Sequence, residues 1–451
     1  MAEPKSNIFV FFLISSIFSV HSLTLSSDII ALKSFISAIK PTSIPPNSCL
    51  RTWDFSTDPC SVPRVTHFTC GVTCSGNRVV QLTLDSQGYS GTLTPFLANL
   101  TRLITLDLTE NNFYGPIPFS IFFLPNLQNL ILRVNSFSGV IPPSVTSLKS
   151  LKFLDLSRNS LSGSLPNSMN SLTSLARLDL SYNKLIGSLP KLPSNLNELA
   201  LKANSLTGSL FYSSFNALIQ LMVVELGENS FTGTLDARLF LLPSLQQIDL
   251  ANNSFTGIIV PKPPTNFNSQ LVAVNLSFNR INGFLPANFT YYPMLRSLGL
   301  SYNQLRGPIP KEYSKKGSLQ RLFLDGNFLN GSPPAEFFSG NTAVTGSLGD
   351  NCLTSCPVSS QLCSKSQKPA SICQQAYGGK PSKKGSLQRL FLDGNFLNGS
   401  PPAEFFSGDT AVTGSLGDNC LTSCPVSSQL CSKSQKPASI CQQADGGKPR
   451  S

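Results

Sequence analysis

The chain has only two histidines, His21 and His67, and His21 lies in an apolar leader segment. A Ser-His-Asp or Cys-His arrangement therefore rests on His67 alone. That residue sits among cysteines and prolines with no nucleophile marked beside it, so it reads as a packed or solvated side chain. Carboxylates recur at Asp107, Asp155, Asp179, Glu225 and Asp249, and glycoside hydrolysis uses paired carboxylates. All five hold the same place in a repeating sequence unit, which explains them without catalysis. Asp325-Gly-Asn327 begins like a calcium loop but lacks the closing Glu of the twelve-residue pattern. Phosphate loops and dinucleotide fingerprints are absent, and the sequence reads as a non-enzyme without cofactor or metal.

The cysteines point to covalent stapling. They fall into three groups: Cys49, Cys60, Cys70 and Cys74; Cys352, Cys356, Cys363 and Cys373; Cys420, Cys424, Cys431 and Cys441. Even groups with CxxxC spacing suit disulfides better than zinc, and each group of four leaves three pairings open. Lys5, the apolar run Ile8 to Val20 and the triplet Val20-His21-Ser22 read as a signal peptide, and no run reaches the length of a membrane span. Glycan acceptor sequences begin at Asn99, Asn252, Asn275, Asn288, Asn330 and Asn398. Export to the extracellular space or cell wall is the expectation. The net charge of +11 is scattered, which suits association with a polyanion such as pectin and not a nucleic-acid groove.

These residues are positioned by a repeat with a period near 24 residues. Units open at Val79, Leu103, Leu127, Leu151, Leu175, Leu196, Leu221, Leu245, Leu271, Leu295 and Leu319, and read LxxLxLxxNxLxGxxP. Ten asparagines stand in register: Asn111, Asn135, Asn159, Asn183, Asn204, Asn229, Asn253, Asn279, Asn303 and Asn327. This is the signature of a leucine-rich repeat. Leucines such as Leu154 and Leu156 alternate inward from a short strand, while the asparagine satisfies backbone that turns into the interior. Glycine follows at a tight bend and proline holds an extended return path. One unit cannot bury its own apolar face, so units must stack. The expected fold is an α/β leucine-rich-repeat solenoid, a curved right-handed superhelix with a concave parallel β-sheet and disulfide-stapled caps. Eleven strands give a sheet about 50 Å long.

The divisions expected are a signal peptide (1–22), an N-terminal cap (23–78), eleven repeats (79–340), a C-terminal cap (341–381) and a duplicate of the last repeat and cap (382–451). Residues 314–381 recur at 382–449, differing only at Asn341/Asp409 and Tyr377/Asp445. Only one copy can follow Leu295 at the proper step, which leaves the repeat opened by Leu387 with a single strand and no neighbour.

The half-repeat Phe113-Tyr-Gly-Pro-Ile-Pro118 resembles the plant-specific class of leucine-rich repeats. Leu50-Arg-Thr-Trp53 followed by Cys70-Gly-Val-Thr-Cys74 is similar to the N-terminal cap of plant receptor-like proteins and receptor kinases. The resemblance implies an ectodomain that binds a peptide, glycan or protein partner, with a membrane co-receptor kinase among the candidates, in defence or developmental signalling. A polygalacturonase-inhibitor-like protein, acting on a secreted wall-degrading enzyme, shares the same architecture and stays open. Outward strand positions hold the candidate ligand-binding residues Arg158, Arg177, Tyr182, Glu198, Glu225, Glu228, Phe278, Tyr302 and Phe323, with Arg133 beside them.

Overall fold

A computed structural model describes residues 23–376 except 54, 62–70, 211–213, 216, 340–343 and 358; beyond them it describes four short strands at 389–391, 398–399, 413–415 and 420–421. The chain divides into two compact units, Met1–Gln367 and Lys368–Ser451.

The first unit is the solenoid. Its long sheet has thirteen strands. Eleven are the repeat strands from Arg78–Thr83 to Arg321–Phe323, and each cap adds one more. At the start, Val72–Ser75 pairs antiparallel with Arg78–Thr83; at the end, Thr345–Ser347 pairs parallel with Arg321–Phe323. Both terminal repeat edges are thus covered, which a bare parallel sheet requires. Each repeat strand sends its central leucine or equivalent into the core, as Leu154 and Leu178 show, with outward positions on either side.

The asparagines form a ladder along the spine. Asn303 donates from Nδ2 to the carbonyls of Leu276 (2.9 Å), Leu300 (3.1 Å) and Ser301 (3.2 Å), and its Oδ1 accepts the Ile281 N–H at 2.9 Å. One side chain therefore satisfies three acceptors and a donor across successive rungs, the reason for asparagine at that position. The ladder has one asparagine more than the ten in register along the repeats. Asn351 is fully buried and binds the Leu324, Leu348 and Gly349 carbonyls, so the C-terminal cap opens with a partial repeat.

The return path is more than extended chain. It pairs into a second parallel sheet of eight strands, from Ser90–Gly91 to Ser254–Ile258, and a further sheet of four, from Asn282–Phe284 to Cys352–Leu353. The break falls in the longest repeat, opened by Leu245, where Pro261, Pro263 and Pro264 cannot donate to a ladder. The repeat glycines bend at positive φ at most positions, for example Gly163 at 76°. Gly91 is required for another reason: a Cβ there would stand 2.4 Å from the Ala38 carbonyl of the cap.

The N-terminal cap packs the helix Ser26–Ser37 on the first repeats through Leu32 and Phe35, with Ile39 just beyond it. At the helix start Asp28 is fully buried and Ile29 half-buried. The Asp28 carboxylate accepts two hydrogen bonds from Arg78 at 3.1 Å and the Val79 N–H at 2.8 Å, fastening the helix to the first repeat strand. Disulfides join Cys60 to Cys74 and Cys356 to Cys363, and Cys49, Cys352 and Cys373 are also disulfide-bonded. Cys70, Cys424, Cys431 and Cys441, together with His67 and the leader 1–22, lie outside the described residues. Gln367 is the last residue of the first unit. Its Oε1 accepts the Asn351 N–H at 3.2 Å, tying it to the last rung.

In the second unit the strand Arg389–Phe391 pairs with Thr413–Ser415, and Asn398–Gly399 pairs with Cys420–Leu421. The repeat opened by Leu387 is therefore not left without a neighbour, contrary to the sequence expectation. Its own cap segment supplies one, in the register that Arg321–Phe323 and Thr345–Ser347 adopt in the first copy.

Candidate functional site: the outer face of the long sheet

Each repeat offers outward positions on both sides of the buried central residue, and a further one just before the ladder asparagine. This last position is left-handed at every regular rung: Arg158 (φ 53°), Tyr182 (56°), Glu228 (55°), Phe278 (58°) and Tyr302 (53°) all occupy it. Left-handed backbone costs a non-glycine residue roughly 1–2 kcal/mol. Here the neighbouring rungs impose it. The Tyr302 N–H donates to the Asp325 carbonyl at 2.7 Å and the Phe278 N–H to the Ser301 carbonyl at 2.8 Å. Because adjacent rungs are one strand spacing apart, side chains in this column stack. Arg158 lies over the Tyr182 ring at 4.3 Å, and the Phe278 and Tyr302 rings lie 4.6 Å apart and 12° from parallel.

The nine expected residues separate into two groups. Six form a charged patch over the central rungs. Arg177 stands between Glu198 (2.9 Å) and Asp179 (3.8 Å), and Lys202 pairs with Glu228 at 3.1 Å. Glu225 accepts from Gln247 Nε2 at 3.4 Å. Burial pushes the Glu225 carboxyl above its ordinary value, and Asp249 and Asp179 add to the shift. Asp155 is raised likewise, by burial first and then by Asp179. Lys202 is raised in spite of partial burial, because Glu228 holds its charge. Carboxylates stacked rung upon rung thus make this patch acidic in a chain that is basic as a whole.

The other three, Phe278, Tyr302 and Phe323, line a groove of ≈540 Å³ over the later rungs. Small residues make the depression: Ala251, Ala273, Ser277, Ser297, Gly299 and Ser301. Gln247, Asp249, Asn275, Arg321 and Asp325 supply its polar groups. Asp325 is buried; it accepts from Ser301 Oγ at 2.5 Å and from Lys365 Nζ at 2.6 Å. The Asp325 bond holds Lys365 above its ordinary value, and the ammonium also lies 5.8 Å from the centre of the Tyr302 ring. Arg321 obeys the same outward alternation as Arg177 and could have been chosen by that rule. Lys365 reaches this face from beyond the repeats, so repeat spacing carries no signal for it. Arg133 pairs with Glu110 at 3.6 Å, upstream of both groups.

The fold and its two-sheet rungs define a leucine-rich-repeat protein, and the comparisons with known proteins agree. The leucine-rich-repeat family models match residues 125–185 and 244–265. Among solved structures, the PEPR1–AtPEP1 structure is 29% identical over 89% of this chain and 53% of that chain, with a TM-score of 0.65. The ectodomain of the plant membrane receptor kinase GASSHO1/SCHENGEN3 from Arabidopsis thaliana, in complex with CASPARIAN STRIP INTEGRITY FACTOR 2, is 27% identical over 78% of this chain and 49% of that chain, with a TM-score of 0.52. A TDR receptor is 27% identical over 76% and 63% of the two chains, with a TM-score of 0.54. No curated protein sequence matches the chain. The chain thus has a leucine-rich-repeat fold and is similar to these plant receptor structures. It spans less than two thirds of the length of each of these solved chains. Among the described residues, no helix is long and apolar enough to cross a membrane.

Proposed function

We propose that the protein is a receptor-like extracellular binding module that captures an extended peptide or protein segment along the outer face of the long sheet. The observation that carries this reading is the pairing of the acidic central patch with an aromatic-walled groove on one rigid sheet. Phe278 and Tyr302 are 54% and 40% exposed there, where large rings stay uncovered at a cost unless a partner covers them. The matched solved structures support the reading, since the GASSHO1/SCHENGEN3 ectodomain is bound to CASPARIAN STRIP INTEGRITY FACTOR 2. The chemistry of the two regions supports a ligand of matching character. Cationic side chains would face Asp155, Asp179, Glu225 and Asp249, and an apolar or ring-bearing end would lie against Phe278, Tyr302 and Phe323.

The test is capture from plant apoplastic fluid on the immobilised chain, with bound species read by mass spectrometry. A short basic peptide, or the exposed domain of a receptor kinase, supports the reading. Retention of a polygalacturonase with loss of its activity would replace it by the inhibitor role.

A further inference from the structure

An acceptor asparagine for N-linked glycan stands on the floor of the groove. Asn275-Leu-Ser277 is such a sequence, and both Asn275 and Ser277 line the depression. Asn275 faces outward from its strand, directly opposite Gly299 on the next. Gly299 does not have the left-handed backbone that favours glycine. A Cβ there would instead stand 2.9 Å from Asn275 Oδ1 and 3.1 Å from Ser277 Oγ. The equivalent outward position carries Glu225, Asp249 and Phe323 on other rungs, so the side chain is missing specifically beside Asn275. Ala273 and Ser297 likewise stand where other rungs carry Arg177, Glu198, Gln247 and Arg321. The clearing is centred on this one amide.

The amide is also free to carry a substituent. Its Oδ1 accepts the Ser277 N–H at 3.2 Å, while its Nδ2 has no acceptor among the described residues. Asn288 differs, since its Nδ2 donates to the Val260 carbonyl at 2.8 Å. Beside the clearing, the stacked Phe278 and Tyr302 rings offer a flat apolar wall of the kind against which the C–H faces of a sugar pack.

We propose that Asn275 carries an N-linked glycan whose first sugars sit in this groove, so that glycan occupancy sets how much of the face is open to a ligand. The donor is an oligosaccharide on a lipid diphosphate. Asn275 Nδ2 forms the bond to C1 of the first sugar, the bond from C1 to the diphosphate oxygen breaks, the lipid diphosphate leaves, and the nitrogen gives up one proton. The inference deepens the proposed function and rests on the export which that function entails.

The test uses the full chain secreted from plant cells. Deglycosylation in heavy-oxygen water followed by mass spectrometry reads occupancy at Asn275, and both Asn275→Gln and Ser277→Ala should remove one glycan step on a gel. Ser277→Ala keeps the asparagine itself, which guards against a folding defect in the first variant. Groove access is read separately with Ser297→Cys and a polymer-bearing maleimide. Labelling should be about tenfold slower with the glycan present than in the Ser277→Ala background, because the substituent is bulky and the groove small. An unmodified Asn275 in the secreted protein, or equal labelling rates, overturns the proposal. No external ligand enters either arm, so this proposal and the ligand-binding reading fail independently.

Discussion

The central rungs and the later rungs share one backbone and differ only in what their outward positions hold. Centrally, Arg158, Arg177, Tyr182, Glu198, Lys202 and Glu228 fill the face and pair with one another. In the later rungs Ala273, Ser297 and Gly299 leave a depression, and the rings of Phe278 and Tyr302 stand beside it. A solenoid separates the two tasks cleanly. The buried leucines and ladder asparagines hold the rung, so the outward residues can change without changing the fold. Exposed ion pairs add little stability, typically about 0–1 kcal/mol, so the central patch contributes little to holding the fold.

Asn303→Ala should break both regions at once, because it strips a rung of its spine. Three carbonyls and one N–H would lose their partner, and the expected loss is about 3–5 kcal/mol in urea unfolding. Gly326→Ala should damage the groove selectively. Its φ is +73°, and a new Cβ would fall 2.5 Å from the Tyr302 ring, so a loss of about 2–3 kcal/mol and a displaced ring are expected, checked by unfolding and near-ultraviolet circular dichroism. Arg177→Ala and Tyr302→Ala should each weaken ligand binding by about 1–3 kcal/mol while moving stability by less than about 1 kcal/mol. Titration calorimetry against denaturation separates these two effects.

The smallest effect concerns pH. Asp155 and Glu225 are raised in the folded chain, so folding favours their protonated forms. Their contribution to stability is full below the ordinary carboxylate values and is lost as pH rises through the raised folded values. Asp155→Asn and Glu225→Gln should therefore flatten that part of the stability profile. A cationic ligand should bind more weakly as acidification neutralises the pair, and the later rungs should show neither trend.

Much of this architecture was legible in the sequence, because the features that build it recur. Leucine at fixed steps announced the rungs, and asparagine in register announced the spine. Asn351 was missed although it keeps the step, because Gly346 replaces the strand leucine and masks the repeat. The second sheet was missed because its strands are built from Ser, Thr and Gly, as in Ser205–Ser209, with no long apolar alternation. Arg177, Tyr302 and Phe323 were readable because large side chains at outward positions stand out. The groove was not, since a depression is made by residues such as Ala273 and Gly299 that carry almost nothing to read. Lys365 joins the face only through the folding of the cap.

The most direct test of the central claim compares retention of apoplastic partners by the unaltered chain, an Arg177→Ala/Tyr302→Ala double variant, and Lys191→Ala, an exposed residue outside the strands of the long sheet. The account predicts that the double variant loses at least about thirtyfold in affinity, as two binding side chains of about 1–3 kcal/mol each require, with Lys191→Ala unchanged. Equal retention by all three, or an equal loss in Lys191→Ala, would contradict it.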